Sequence, residues 1–156
     1  MTQPNRPGFT LIEAIVVACV IGIVAATGAP KVSAALQKRT SAAAADQLVL
    51  THSLARSTAI RFGRIAQLHI DAVGQRFWVD VDTSANGIGQ RATIANIRYA
   101  NDPGLSMTSN RALLCFDARG IASTLGSCES GDVQVVFKEG QTADTVSTTS
   151  LGKVLR

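Results

Sequence analysis

The sequence predicts an α+β protein: one long amino-terminal helix followed by a distal antiparallel β domain. Three observations carry this. No charged residue falls between Ala14 and Ala29. Apolar residues then recur at helical spacing as far as Phe62, and beyond Ala66 the apolar period changes to two. At 156 residues, with 46% hydrophobic and 17% charged residues and a mean hydropathy of +0.20, the chain has room for one domain of ordinary size. Seven aromatic residues argue against a base-stacking platform for single-stranded nucleic acid, and two histidines with three scattered cysteines leave little for a metal enzyme.

Residues 1–8, Met-Thr-Gln-Pro-Asn-Arg-Pro-Gly, hold two prolines, one glycine and no apolar run. From Phe9 to Ala29 an apolar stretch follows, which as a helix spans about 31 Å, the thickness of a bilayer core. It carries Glu13 near its start, where a plain membrane anchor has no use for a carboxylate. A secretory signal peptide would account for a basic leader, an apolar run and the Ala-Ala-Thr-Gly-Ala at its far end. It leaves Gly8 and Glu13 unexplained.

Gly8-Phe9-Thr10-Leu11-Ile12-Glu13 resembles the cleavage and methylation signal of type IV pilins and type II secretion pseudopilins, and Pro30 falls where pilins commonly place a helix-kinking proline. The resemblance implies that prepilin peptidase cuts between Gly8 and Phe9 on the cytoplasmic side and methylates the new Phe9 amine. It also implies that residues 9–30 form a transmembrane assembly helix, and that Glu13 and Pro30 serve assembly with other pilins or pseudopilins. A buried carboxylate needs a compensating cation, and Phe9 and Glu13, four apart, would share one helix face. The paired amine would be the chain's own or, in a fibre, that of the next subunit. The count of basic residues, Arg6 before the span against Lys31, Lys38 and Arg39 after it, points to the opposite orientation.

Residues 31–63 continue as an amphipathic helix, with Val32, Leu36, Ala43, Leu50 and Leu54 as the expected apolar stripe and Gly63 as its cap. The helix as a whole, Phe9 to Phe62, would be about 80 Å long and bent at Pro30. Residues 31–64 hold six basic side chains against Asp46 alone. That charge suits either a solvated face meeting lipid head groups or a nucleic-acid surface. Residues 64–156 read as the β-rich domain, with strands expected at 66–70, 77–82, 93–99, 112–116, 133–137 and 145–151. Turns are expected at Gly74, Asn86-Gly87, Asp102-Pro103-Gly104, Arg119-Gly120, Ser130-Gly131 and Glu139-Gly140.

Two further stretches, Ala55 to Arg64 and Phe116-Asp117-Ala118-Arg119-Gly120, resemble the GspH/FimT family of that group. This implies a minor subunit near a fibre tip, two small sheets on the helix, and a distal domain in the periplasm beyond a bacterial inner membrane. In that oxidising setting Cys115 and Cys128 are expected to pair, the alternative being two free thiols. The FimT proteins of DNA-uptake pili carry a basic carboxyl-terminal motif that begins with glycine. Gly152-Lys153-Val154-Leu155-Arg156 resembles it with Lys in place of one Arg, so Lys153 and Arg156 are either contacts for duplex DNA or a solubilising end. No catalytic or metal-ligating set emerges from His52, His69 or the Asp80/Asp82 pair. The expectation is a cofactor-free, non-enzymatic minor pseudopilin of a type II secretion system, with a DNA-binding FimT-like minor pilin as the alternative.

Overall fold

A computed structural model describes residues 9–84, 91–98, 104–124, 128 and 131–156. Residues 1–8 with Gly8, Asn86-Gly87, Tyr99, Asp102-Pro103 and Ser130 lie outside the described residues. The chain divides into two compact units, Met1–Leu36 and Gln37–Arg156.

Helix α1 runs Leu11–Phe62 with Pro30 inside it. It starts two residues later than expected because Thr10 caps it: the Thr10 hydroxyl accepts the Glu13 backbone N–H at 3.3 Å. Thr10 with Glu13 three residues on is the capping-box spacing. Its far end closes as the sequence predicts. Gly63 takes φ +62°, its N–H reaches the Ile60 carbonyl at 3.3 Å, and the Arg64 N–H reaches Ala59 at 3.1 Å. That is the paired arrangement a glycine cap makes.

Within Gln37–Arg156 two four-stranded antiparallel sheets share one core with the helix. The strands are β1 (Ala66–Asp71), β2 (Arg76–Asp82), β3 (Arg91–Arg98), β4 (Leu105–Ser109), β5 (Leu113–Phe116), β6 (Val133–Glu139), β7 (Thr142–Thr148) and β8 (Val154–Leu155). The sheet orders are β3-β2-β1-β5 and β4-β6-β7-β8. Alternation decides what each strand buries: Leu68 and Ile70, Phe77, Val79 and Val81, Leu105 and Met107, then Val133, Val135 and Phe137 face inward. Two strands escaped the sequence reading. β4 is a short Leu-Ser-Met-Thr-Ser alternation. The expected strand 145–151 stops at Thr148, where Gly152 at φ +81° closes a turn that returns the chain as β8.

The helix face that joins this core is not the expected one. Ser41, Ala44, Ala45, Leu48, Thr51, His52, Ala55, Thr58 and Ala59 are buried, whereas Val32, Leu36, Ala43 and Leu50 are exposed and Leu54 is half-buried. The buried set has the same period and, apart from Leu48 and His52, small side chains. The bulk of the core comes from the strands instead.

Candidate functional site: the amino-terminal segment and the basic carboxyl end

In the first unit the apolar side chains Leu11, Ile12, Ile15, Val16, Val17, Val20, Ile21, Ile23 and Val24 are all exposed. The helix contains a window of mean hydropathy 2.4, long and apolar enough to cross a membrane. Glu13 sits in its first turn. Phe9 precedes the capping residue and is not helical. Cys19 is a free, exposed thiol.

In the second unit Cys115 on β5 and Cys128 are joined in a disulfide, with Cα atoms 5.8 Å apart and both residues buried. The bond closes the segment after β5 against the sheet that β5 borders.

The two stretches singled out in the sequence, one ending the helix and one ending β5, meet in space. Asp117 organises the turn: its carboxylate accepts the N–H groups of Arg119 and Ile121 at 2.9 and 3.0 Å and the Arg119 guanidinium at 2.9 and 3.0 Å. These bonds, the one from the Ile121 N–H foremost, hold the Asp117 carboxyl below the usual range. Gly120, at φ +74°, then turns its carbonyl to Arg56 Nε on the helix at 2.8 Å. A Cβ at Gly120 would stand 2.9 Å from Ile60 Cδ1, so the turn lies directly on the helix.

The carboxyl-terminal pair is divided by the fold. Arg156 is not a loose end. Its guanidinium pairs with Asp46 on the helix and with Asp144 on β7 at 2.7 Å, and reaches the Ala42 carbonyl at 3.3 Å. The Asp144 hydrogen bond, foremost, raises its pKa further above the ordinary arginine value. Lys153 remains exposed, its backbone N–H held by the Thr149 hydroxyl at 3.1 Å. Nothing in the sequence pattern pointed to this clasp, because it joins residues 110 positions apart.

The remaining candidates are structural. His52 is 4% exposed and packs edge-on against Phe116 at 4.9 Å between centroids. Burial, with the Arg56 charge second, lowers its pKa to about 4. His69 stacks on its cross-strand neighbour Trp78 at 4.7 Å, beside Asp80 at 3.2 Å. Burial lowers its pKa too, against the opposing pull of Asp80. Asp80 also accepts the Trp78 indole N–H and the Thr93 hydroxyl, while Asp82 accepts Ser84. A shallow cavity of about 430 Å³ lies beside His69 and Trp78. Its Asp71 and Ser109 are engaged in their own turns, and the Asn110 amide donates to the Asp132 carbonyl and accepts from the Gln134 N–H. Among the described residues no three His, Cys, Asp or Glu side chains gather as a metal site.

No family model matches the chain. No curated protein matches it. Solved structures do. The type IV minor pilin FimU of Pseudomonas aeruginosa PAO1 superposes with a TM-score of 0.56 at 16% identity, over 74% of this chain and 86% of that one. The fold is pilin-like. A second crystal form of FimU gives 0.52 at 15% identity, over 72% of this chain and 88% of that one. The minor pseudopilin EpsH of the Vibrio cholerae type 2 secretion system gives 0.51 at 13% identity, over 74% and 94%. One long helix carrying two antiparallel sheets is the pilin-like arrangement expected from the sequence.

Proposed function

We propose that this chain is a minor structural subunit of a pilus-like fibre, assembled through its amino-terminal helix. The observation that carries the reading is the pilin-like fold joined to a helix whose apolar side chains from Leu11 to Val24 are exposed, with Glu13 in its first turn. Exposed apolar side chains over more than three turns need either lipid or neighbouring helices to cover them. Before assembly that cover is the bacterial inner membrane, with the disulfide-bonded domain in the periplasm; afterwards it is the helices of sister subunits. Prepilin peptidase removes residues 1–8 between Gly8 and Phe9 and methylates the Phe9 amine. That amine then compensates Glu13, and Pro30 adapts the helix to the fibre.

The machine we assign is the type II secretion pseudopilus. A second reading, a minor pilin of a type IV pilus, is favoured by the alignment with FimU. The DNA-binding form of that reading is weakened by Arg156, whose guanidinium, though exposed, is already held by two carboxylates. Mass spectrometry of the chain isolated from its own cells tests the core of the proposal. An N-methylated Phe9 terminus is expected; an intact Met1 terminus, or one beyond Ala29, refutes it. Loss of exported enzymes in a deletion strain assigns the pseudopilus, and loss of surface pili with secretion intact assigns the pilus.

A further inference from the structure

Three cations that the fold leaves unpaired stand just beyond the apolar stretch. Further along the chain, guanidinium groups are engaged: Arg56 donates to the Gly120 carbonyl, Arg76 pairs with Asp71, Arg119 with Asp117, and Arg156 with Asp46 and Asp144. Lys31, Lys38 and Arg39 are exposed, and their side chains make no ion pair or hydrogen bond among the described residues. The helix offers them no acid of its own. Asp46 is the sole carboxylate between Ala14 and Gly63, and Arg156 holds it.

Their position along the helix decides what they meet. Lys31 stands about 3 Å past Ala29, where the apolar stretch ends, and Lys38 and Arg39 about 14 to 15 Å past it. The headgroup layer of a bilayer continues roughly 5 to 8 Å beyond the hydrocarbon on each side. Lys31 therefore lies within that layer. Lys38 and Arg39 lie about one Debye length outside it, close enough for an anionic leaflet to attract them.

We propose that Lys31, Lys38 and Arg39 bind the phosphodiester headgroups of anionic phospholipid in the leaflet on the domain's side of the membrane, each cation meeting headgroups on its own. The inference rests on the proposed function, in which residues 9–30 span the membrane, and names the lipid class that receives the chain. It also gives a use to the basic excess after the span, which by count points to the opposite orientation. Duplex DNA presents the same phosphodiester chemistry, but at this depth the headgroup charge that attracts the cations repels a polyanion.

The test uses the full chain in nanodiscs of equal parts phosphatidylcholine and phosphatidylglycerol, released in a native mass spectrometer so that retained lipids are counted by class. Phosphatidylglycerol should be retained in excess. Lys31→Gln, Lys38→Gln and Arg39→Gln together should lower the ratio at least fivefold, roughly one cation's worth of headgroup attraction. Lys138→Gln with Lys153→Gln, two exposed cations of the β domain, should leave it unchanged. A ratio that the triple variant keeps, or one abolished by millimolar inorganic phosphate at constant ionic strength, overturns the lipid contact alone. Absence of any preference overturns it too, and duplex DNA captured by the wild type but not by the triple variant would then name the polyanion instead. A full chain that does not enter nanodiscs overturns the spanning helix, and with it both the proposed function and this contact.

Discussion

His52 makes the stability of the distal unit depend on pH in a way that one substitution isolates. Its ring is buried on the helix against Phe116, with Arg56 one turn on, and Nε2 has no hydrogen-bond partner among the described residues. Folding therefore lowers its pKa from 6.5 to about 4. Between those values the unfolded chain binds a proton that the folded chain refuses, so stability is full above pH 6.5 and is lost as pH falls. At pH 4.5 linkage puts the loss at roughly 2 to 3 kcal/mol relative to neutral pH. The assay is urea unfolding of the full chain in non-ionic detergent, followed by circular dichroism at pH 7.5 and 4.5. Trp78 fluorescence is unsuitable because His69 stacks on that ring and itself titrates. His52→Leu should be less stable than wild type at pH 7.5 for want of the Phe116 edge contact, yet lose roughly 2 to 3 kcal/mol less on acidification. Other titrating groups, His69 and the hydrogen-bonded Asp71, Asp82 and Asp117, stand in both proteins and cancel in the comparison. Equal losses in the two proteins would refute the argument.

Three further outcomes follow from the same geometry. Maleimide labelling of unreduced, unfolded protein should add one adduct, at Cys19, and Cys115→Ser with Cys128→Ser should cost about 3 kcal/mol in urea unfolding by the chain-entropy estimate. Gly120→Ala should destabilise more than Gly63→Ala: both sites need positive φ, worth about 1 kcal/mol each, but only Gly120 would also drive a Cβ to 2.9 Å from Ile60 Cδ1. A thermal scan that ranks them the other way refutes the close contact. Arg156→Ala should cost about 1 kcal/mol, less at high salt, because the clasp is partly exposed; an unchanged melting temperature at low salt would show that it contributes nothing.

The long helix, its glycine cap and the change to period two were legible because each is a local pattern. Gly63 reads as a cap from its neighbours alone, and the structure gives it positive φ and the paired hydrogen bonds. The apolar stripe misled for a physical reason. Val32, Leu36, Ala43, Leu50 and Leu54 recur at helical spacing, but the face that meets the sheets is lined by Ala44, Ala45, Ala55 and Ala59 around Leu48 and His52, and alanine is too weakly apolar to mark a face in the sequence. The Thr10 cap, with Glu13 three residues on, is also a local pattern, and it lies inside the stretch that resembles a cleavage signal. The Arg56–Gly120 bond and the Arg156 clasp were beyond reach of pattern reading, because both pair side chains with groups distant in sequence. The two short strands were missed because β8 has only two residues and β4 lies close behind a turn signal.

The clasp at Arg156 bears on how the protein can be handled. With Arg156 held between Asp46 on the helix and Asp144 on β7, any segment fused behind it pulls on the junction of helix and sheet. The hairpin tip at Val73, 97% exposed between β1 and β2, is the better insertion point.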